Sequence, residues 1–79
     1  MWFVYILKSE SSNKSYVGFT DNLERRLKEH NLGRSDYTKR YKPWKIIYTE
    51  NFEIYNEALK REKYLKSASG RKLVLKKLF

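Results

Sequence analysis

A small α/β fold, with three strands in a mainly antiparallel sheet flanked by helices, is what this sequence predicts. Three observations carry that expectation. Runs rich in β-branched and aromatic residues at 2–8, 15–19 and 44–49 have the composition of strands. Two longer segments, starting near residues 20 and 55, place apolar side chains at helical spacing. The segments follow one another in the order β-β-α-β-α-α within 79 residues, a length that allows one domain, 1–79, and no more.

Each element has its own signal. The first strand, residues 2–8, is rich in β-branched and aromatic residues and reads as buried; a polar turn, Ser9 to Lys14, leads to the second strand at 15–19. Gly18 inside that strand marks a close approach to the backbone. Thr20 is the expected N-cap of the first helix, with Asp21 and Glu24 suited to the positive end of the helix dipole. This helix carries Leu23 and Leu27, runs to about Asn31 and stops at Gly33. Residues 34–43 read as a basic, aromatic loop closed by Pro43, and residues 44–49 as the third strand. A second helix is expected over Tyr55 to Ser67, with Ser69 and Gly70 interrupting it before a short basic helix at 71–79.

Composition narrows the function. The chain has no cysteine, so disulfides, zinc–thiolate centres and thiol nucleophiles are excluded. That suits a reducing, cytoplasmic setting. No apolar run is long enough to span a bilayer, and the apolar start Met1–Leu7 lacks the preceding basic residues of a signal peptide, so no membrane role is expected. The formal charge is +9, and it is unevenly placed: residues 34–45 carry +4 and residues 60–79 carry +7, separated by a stretch, 46–59, at −3. A cationic face of this kind attracts a polyanion, which points to nucleic acid.

Three groups of residues are candidates for chemistry. Glu62 lies four after Ala58 and three before Leu65, which puts a carboxylate on an apolar helix stripe. Such a charge needs a partner. One solution is an ion pair with a nearby Arg. The other is a hard, oxygen-seeking cation, since Mg²⁺ often takes only one or two protein carboxylates and completes its shell with water. Arg26 and His30 stack at i, i+4 spacing beside the Leu23/Leu27 stripe: the guanidinium fork suits phosphate and the imidazole suits proton transfer. The third group is the tyrosines, seven in all. Alternation puts Tyr5 on one face with Phe3 and Leu7, and Tyr16 on one face with Gly18. Tyr37, Tyr41 and Trp44 lie among Arg34, Lys39, Arg40 and Lys42, a pattern that suits base stacking beside phosphate contacts.

These residues, taken together, resemble a known family. Val4-Tyr5 and Tyr16-Val17-Gly18 resemble the two halves of the GIY-YIG motif. Leu23 to His30 resembles the helix that follows it, and Glu57-Ala58 with Arg61-Glu62-Lys63 resembles the later helix carrying the acidic metal ligand. The likeness covers nearly the whole chain and is greatest to the short, stand-alone bacterial members, which are similar to the N-terminal nuclease domain of the excision-repair subunit that makes the 3′ incision. Phe3 stands where the first motif has Gly, Val stands at both Ile positions, and Val74 lies where some family nucleases carry an Asn.

The resemblance implies an endonuclease that hydrolyses DNA phosphodiester bonds with Mg²⁺ or Mn²⁺, structure-preferring and repair-related, with RNA kept open as a substrate. It implies that Tyr5 and Tyr16 position or deprotonate the attacking water, with Tyr5 expected as the base. Arg26 would contact the scissile phosphate, His30 would assist from its place four residues on, and Glu62 would hold the metal. Gly18 would leave space for the nucleic acid, and Arg34, Lys39, Arg40 and Lys42 would bind its backbone. Arg26 and the metal are expected to lower the phenol pKa from its usual value of about 10. Competing readings are a binding module of the same fold with little activity and a small basic protein that docks on a larger assembly.

Overall fold

The computed structural model describes residues 1–78. It contains β1 (Trp2–Ser9), β2 (Ser15–Thr20), α1 (Leu23–Asn31), α2 (Asp36–Lys39), β3 (Trp44–Phe52), α3 (Tyr55–Lys66) and α4 (Ala68–Leu78). The sheet order is β2-β1-β3, and β1 runs antiparallel to both neighbours. The expected three-stranded sheet flanked by helices is therefore present in the expected order, with α2 added. No helix among the described residues is long and apolar enough to cross a membrane.

β1 is the centre of the fold because it is buried on both faces. Val4 and Ile6 pack with Val17, Ala58, Leu65 and Val74 beneath α3 and α4. Tyr5 and Leu7 point the other way and pack with Trp44, Leu23 and Leu27 beneath α1. This is why four consecutive residues, Val4 to Leu7, are at most 2% exposed. The β1–β2 register sets Tyr5 opposite Gly18 and Leu7 opposite Tyr16. Since cross-strand partners share a face, Tyr5, Tyr16 and Gly18 all lie on the α1 side.

β3 is longer than the sequence suggests and contains a bulge. Ile6 pairs with Tyr48 but Leu7 pairs with Ile46, so Ile47 is the extra residue. A bulge of this kind re-aims the side chains that follow it. Trp44 and Ile46 belong to the α1-side core, whereas Ile47, Tyr48 and Phe52 belong to the α3 side. The strand then carries Glu50 to α3, where its carboxylate accepts from Arg61 Nε at 2.8 Å and Nη2 at 3.0 Å and from the Tyr48 hydroxyl. Burial works to raise the Glu50 pKa, but the bonds from Arg61 and Tyr48 outweigh it and hold the carboxyl below its ordinary range.

Three local expectations are corrected. Thr20 is not the N-cap of α1. It is the last residue of β2, and its hydroxyl accepts from Asn22 N, while Asn22 caps the helix by accepting from Arg25 N at 3.1 Å. The segment 34–43 is not wholly loop, because α2 forms one turn within it. The break between α3 and α4 falls at Ser67, which is extended, and not at Ser69-Gly70. Gly70 is buried in the first turns of α4, where a Cβ would collide with the Tyr64 carbonyl and the Leu65 backbone. The glycine lets the two helices meet closely. Helix propensity alone favours Gly70→Ala by about 1 kcal/mol. The contact predicts the opposite sign, a destabilisation of about 1–3 kcal/mol by overpacking, measurable by urea denaturation.

Candidate active site

The centre of the site is a buried polar chain. The Tyr5 hydroxyl lies 3.0 Å from His30 Nε2, and His30 Nδ1 lies 2.9 Å from Thr38 Oγ1. Tyr5 is 2% exposed and His30 and Thr38 are fully buried. Thr38 Oγ1 also donates to the Ser35 carbonyl at 3.4 Å. With its proton directed there, it accepts from His30 Nδ1–H, which leaves the Nε2 lone pair to accept the Tyr5 proton. The chain thus runs from Tyr5 through His30 and Thr38 to the backbone of Ser35. Burial, seconded by the charge of Arg26, lowers the His30 pKa to about 4, so the ring is neutral at physiological pH.

The elements explain why these groups meet. α1 lies over Tyr5, and the Leu23/Leu27 stripe that seats it brings Arg26 and His30 to the same side. α2 carries Thr38, and the buried Trp44 anchors that turn by donating Nε1–H to the Thr38 carbonyl at 2.7 Å. Trp44 was a candidate for stacking on bases; at 3% exposed it is a core residue instead. Gly18 also has an internal role. A Cβ there would stand 2.5 Å from the Tyr5 hydroxyl oxygen, so the space expected for nucleic acid is filled by the Tyr5 phenol.

Arg26 is half-buried, and its Nη1 donates to Glu29 Oε1 at 3.1 Å. Arg26 also interacts with the Tyr5 hydroxyl, and the remaining guanidinium donors are left for another anion. Its charge works to lower the Tyr5 pKa, as expected, but burial and then the neighbouring Tyr16 phenol prevail, and the pKa is raised well above the ordinary value. The expectation of a phenol depressed by its cationic neighbours is thus corrected: burying a would-be anion costs more than the one guanidinium offsets.

Tyr16 forms the outer wall. Its ring lies 4.8 Å from His30 and 6.3 Å from Tyr5, and Tyr37 from α2 packs on it at 6.1 Å. β2 is the sheet edge, so Tyr16 is reached from α3 around that edge. Lys66 Nζ lies 5.7 Å from the Tyr16 ring centroid and 3.4 Å from Glu62 Oε2. Glu62 is close enough for its charge to act on Tyr5. Its side chain is 13% exposed, between Ala58 and Leu65, which are core residues. The ion-pair alternative for Glu62 named an Arg; the neighbouring Arg61 serves Glu50, and the partner of Glu62 is Lys66. Among the described residues no group of three or more His, Cys, Asp or Glu could hold a metal. A single, partly solvated carboxylate still fits Mg²⁺ or Mn²⁺, which bind through one or two carboxylates plus water.

The loop cations Arg34, Lys39, Arg40 and Lys42 are exposed. Lys39 has a weak contact with Asp36 at 3.9 Å. They lie on the segment that carries Tyr37 and Thr38, beside the site and outside its hydrogen-bonded centre. Thr38 and Lys66 were not singled out from the sequence. The i, i+4 spacing of Glu62 and Lys66 was a usable signal; nothing local marks Thr38.

The buried, neutral His30 makes stability depend on pH. Unfolded, the ring takes up a proton near its ordinary pKa of 6.5, whereas folded it resists until about 4. Stability from this residue is therefore complete above about pH 6.5 and is lost as pH falls through the window to 4, by about 3 kcal/mol in all. Urea denaturation at pH 7 and pH 4.5 is expected to show a steeper loss for the wild type than for His30→Gln. Equal losses would mean that His30 titrates normally.

Comparison with known proteins identifies the family. A family profile described as the GIY-YIG catalytic domain matches residues 1–76. The chain is 46% identical over 67 residues to the UPF0213 protein CPE1444 of Clostridium perfringens, covering 84% of this chain and 71% of that one. It is 37% identical over 71 residues to the UPF0213 protein YazA of Bacillus subtilis, covering 89% and 71%. The solution structure of the UPF0213 protein BH0048 from Bacillus halodurans is similar, with a TM-score of 0.57 and 29% identity over 96% of this chain and 84% of that one. The chain belongs to the GIY-YIG nuclease family and stands among its short UPF0213 members.

Proposed function

We propose that this protein is a divalent-metal-dependent endonuclease that hydrolyses phosphodiester bonds in DNA, with a preference for particular DNA structures and a place in repair. The observation that carries the reading is the directed chain from Tyr5 to His30, whose phenol lies within reach of both the Arg26 guanidinium and the Glu62 charge. A pure binding module has no need of an acid beside a phosphate site, since it repels the ligand unless a cation intervenes.

The raised pKa of Tyr5 decides how the proton moves. A standing phenolate is disfavoured, so the phenol serves as a relay. As water attacks phosphorus and the bond to the leaving 3′ oxygen breaks, the Tyr5 oxygen takes the water proton while its own proton passes to His30 Nε2. No phenolate forms on Tyr5; the charge is carried by His30 as an imidazolium, opposite the growing negative charge on the phosphate. Solvent later supplies a proton to the 3′ oxygen, and the extra proton on His30 returns through the Tyr5 oxygen to solvent. Tyr16 borders the path of the water and orients it. Arg26 donates to the non-bridging phosphate oxygens as their charge grows. Glu62 would hold Mg²⁺ or Mn²⁺, which when bound supplies Lewis-acid stabilisation of phosphate and leaving-group oxygens. The exposed cations Arg34, Lys39, Arg40 and Lys42 give the sequence-independent attraction, which weakens steeply with salt.

The test is cleavage of end-labelled single-stranded, double-stranded, nicked and branched DNA and of RNA, with Mg²⁺, Mn²⁺ or chelator. Glu62→Ala is expected to remove metal-dependent cutting. Tyr5→Phe is expected to lower the rate by about 10²–10⁴-fold, and Arg26→Ala by about 10²–10³-fold. Cutting that persists unchanged in Glu62→Ala would refute the assignment. The pH–rate profile of the folded enzyme is expected to show no inflection near 6.5, because His30 titrates near 4. An acid limb centred near 6.5 that vanishes in His30→Gln would rule out the pre-neutralised relay.

A further inference from the structure

A cavity of about 320 Å³ opens along the β2 edge of the sheet. Its floor is apolar, made by Val17, Leu65 and Val74, all at most 9% exposed. Tyr16 and Tyr37 form its aromatic wall, and Lys66 and Arg71 bring two cations; among the described residues no carboxylate lines it. An apolar floor with a flat aromatic wall takes a planar ring, and the paired cations take an attached anion. The volume is at the small end of ligand sites, enough for one such unit. Tyr16 belongs both to this cavity and to the Tyr5–His30 cluster, while Lys66 touches both Tyr16 and Glu62. The cavity is therefore continuous with the site.

We propose that this cavity is a subsite for one unpaired nucleotide next to the scissile phosphate. Its base would stack on Tyr37 and lie over the apolar floor, and its phosphate would sit against Arg71 and Lys66. A base held in a duplex stack cannot enter such a cavity without leaving its partner, which costs energy that a single strand does not incur. The inference deepens the nuclease reading and rests on it for the position of the cut: it names single-stranded or locally unpaired nucleic acid as the substrate class. Tyr37 is 41% exposed although it packs against Tyr16, Tyr41 and Trp44, and an open aromatic face of this kind is what stacking requires.

Binding can be tested apart from cutting. With chelator present, fluorescence anisotropy would compare a labelled 12-mer of thymidylate with a duplex of the same length. The single strand is expected to bind the wild type more tightly. Tyr37→Leu and Arg71→Ala are each expected to weaken single-strand binding by about tenfold and duplex binding by less than twofold. Equal losses on both ligands, or no loss, would overturn the subsite. A titration of the wild type with a thymidine pentanucleotide, followed by amide NMR shifts, needs no variant. Shifts centred on residues 15–17, 37 and 71 support the proposal, and shifts confined to other surfaces overturn it. Failure of the nuclease reading would appear differently, as an absence of metal-dependent cutting on every substrate.

Discussion

The buried hydrogen bond between Tyr5 and His30 is the constraint around which the rest is arranged. A phenol and an imidazole placed in a small core each need a partner, because a buried polar group left unsatisfied costs about as much as several such bonds contribute. Each satisfies the other, and Thr38 satisfies the remaining ring nitrogen. Among the described residues no buried side-chain polar atom lacks a partner. Meeting this condition draws in four elements: β1 supplies Tyr5, α1 His30, α2 Thr38, and β3 the Trp44 that anchors the Thr38 carbonyl. Gly18 on β2 completes it by leaving the volume that the phenol occupies.

The opposite face of the sheet solves a different problem, the placement of α3. The bulge at Ile47 turns the end of β3 toward that helix, and the two-bonded pair of Glu50 and Arg61 fixes the helix against it. With Arg61 committed to Glu50, the next residue, Glu62, is directed to the β2 edge, where its partner is a flexible ammonium and not a rigid guanidinium fork. The distinction matters for chemistry. A bidentate Arg would occupy both carboxylate oxygens, whereas Lys66 leaves Glu62 partly solvated and able to exchange one cation for another.

Much of this was legible in the sequence, for identifiable reasons. Alternation placed the apolar residues of β1 on two faces, and helical period picked out Glu62 as a carboxylate on an apolar stripe and Arg26 with His30 as a pair; these are short-range regularities. What was not legible depended on tertiary context. α2 spans only Asp36–Lys39, too short to show a period. Thr20 and Asn22 are both good caps two residues apart, and only the length of β2 decides between them. Gly70 reads as a helix breaker until the Tyr64 carbonyl is seen against it. The direction of the Tyr5 pKa could not be had from charge counting, because the sequence shows Arg26 nearby but does not show the burial that outweighs it.

That last point separates two ways of using a tyrosine in hydrolysis. An exposed phenol beside several cations would act by being ionised beforehand, and its rate would follow the phenolate fraction. Tyr5 is in the reverse situation: buried, directed at a neutral imidazole, and costly to ionise. Such a group contributes through the position of its proton and not through basicity at rest. In the proposed relay, the low pKa of His30 keeps the Nε2 lone pair free to accept the phenol's hydrogen bond, which a ring already protonated at neutral pH could not do. The burial that makes Tyr5 costly to ionise also keeps His30 neutral and able to accept the phenol's hydrogen bond, so the two shifted values belong to one arrangement.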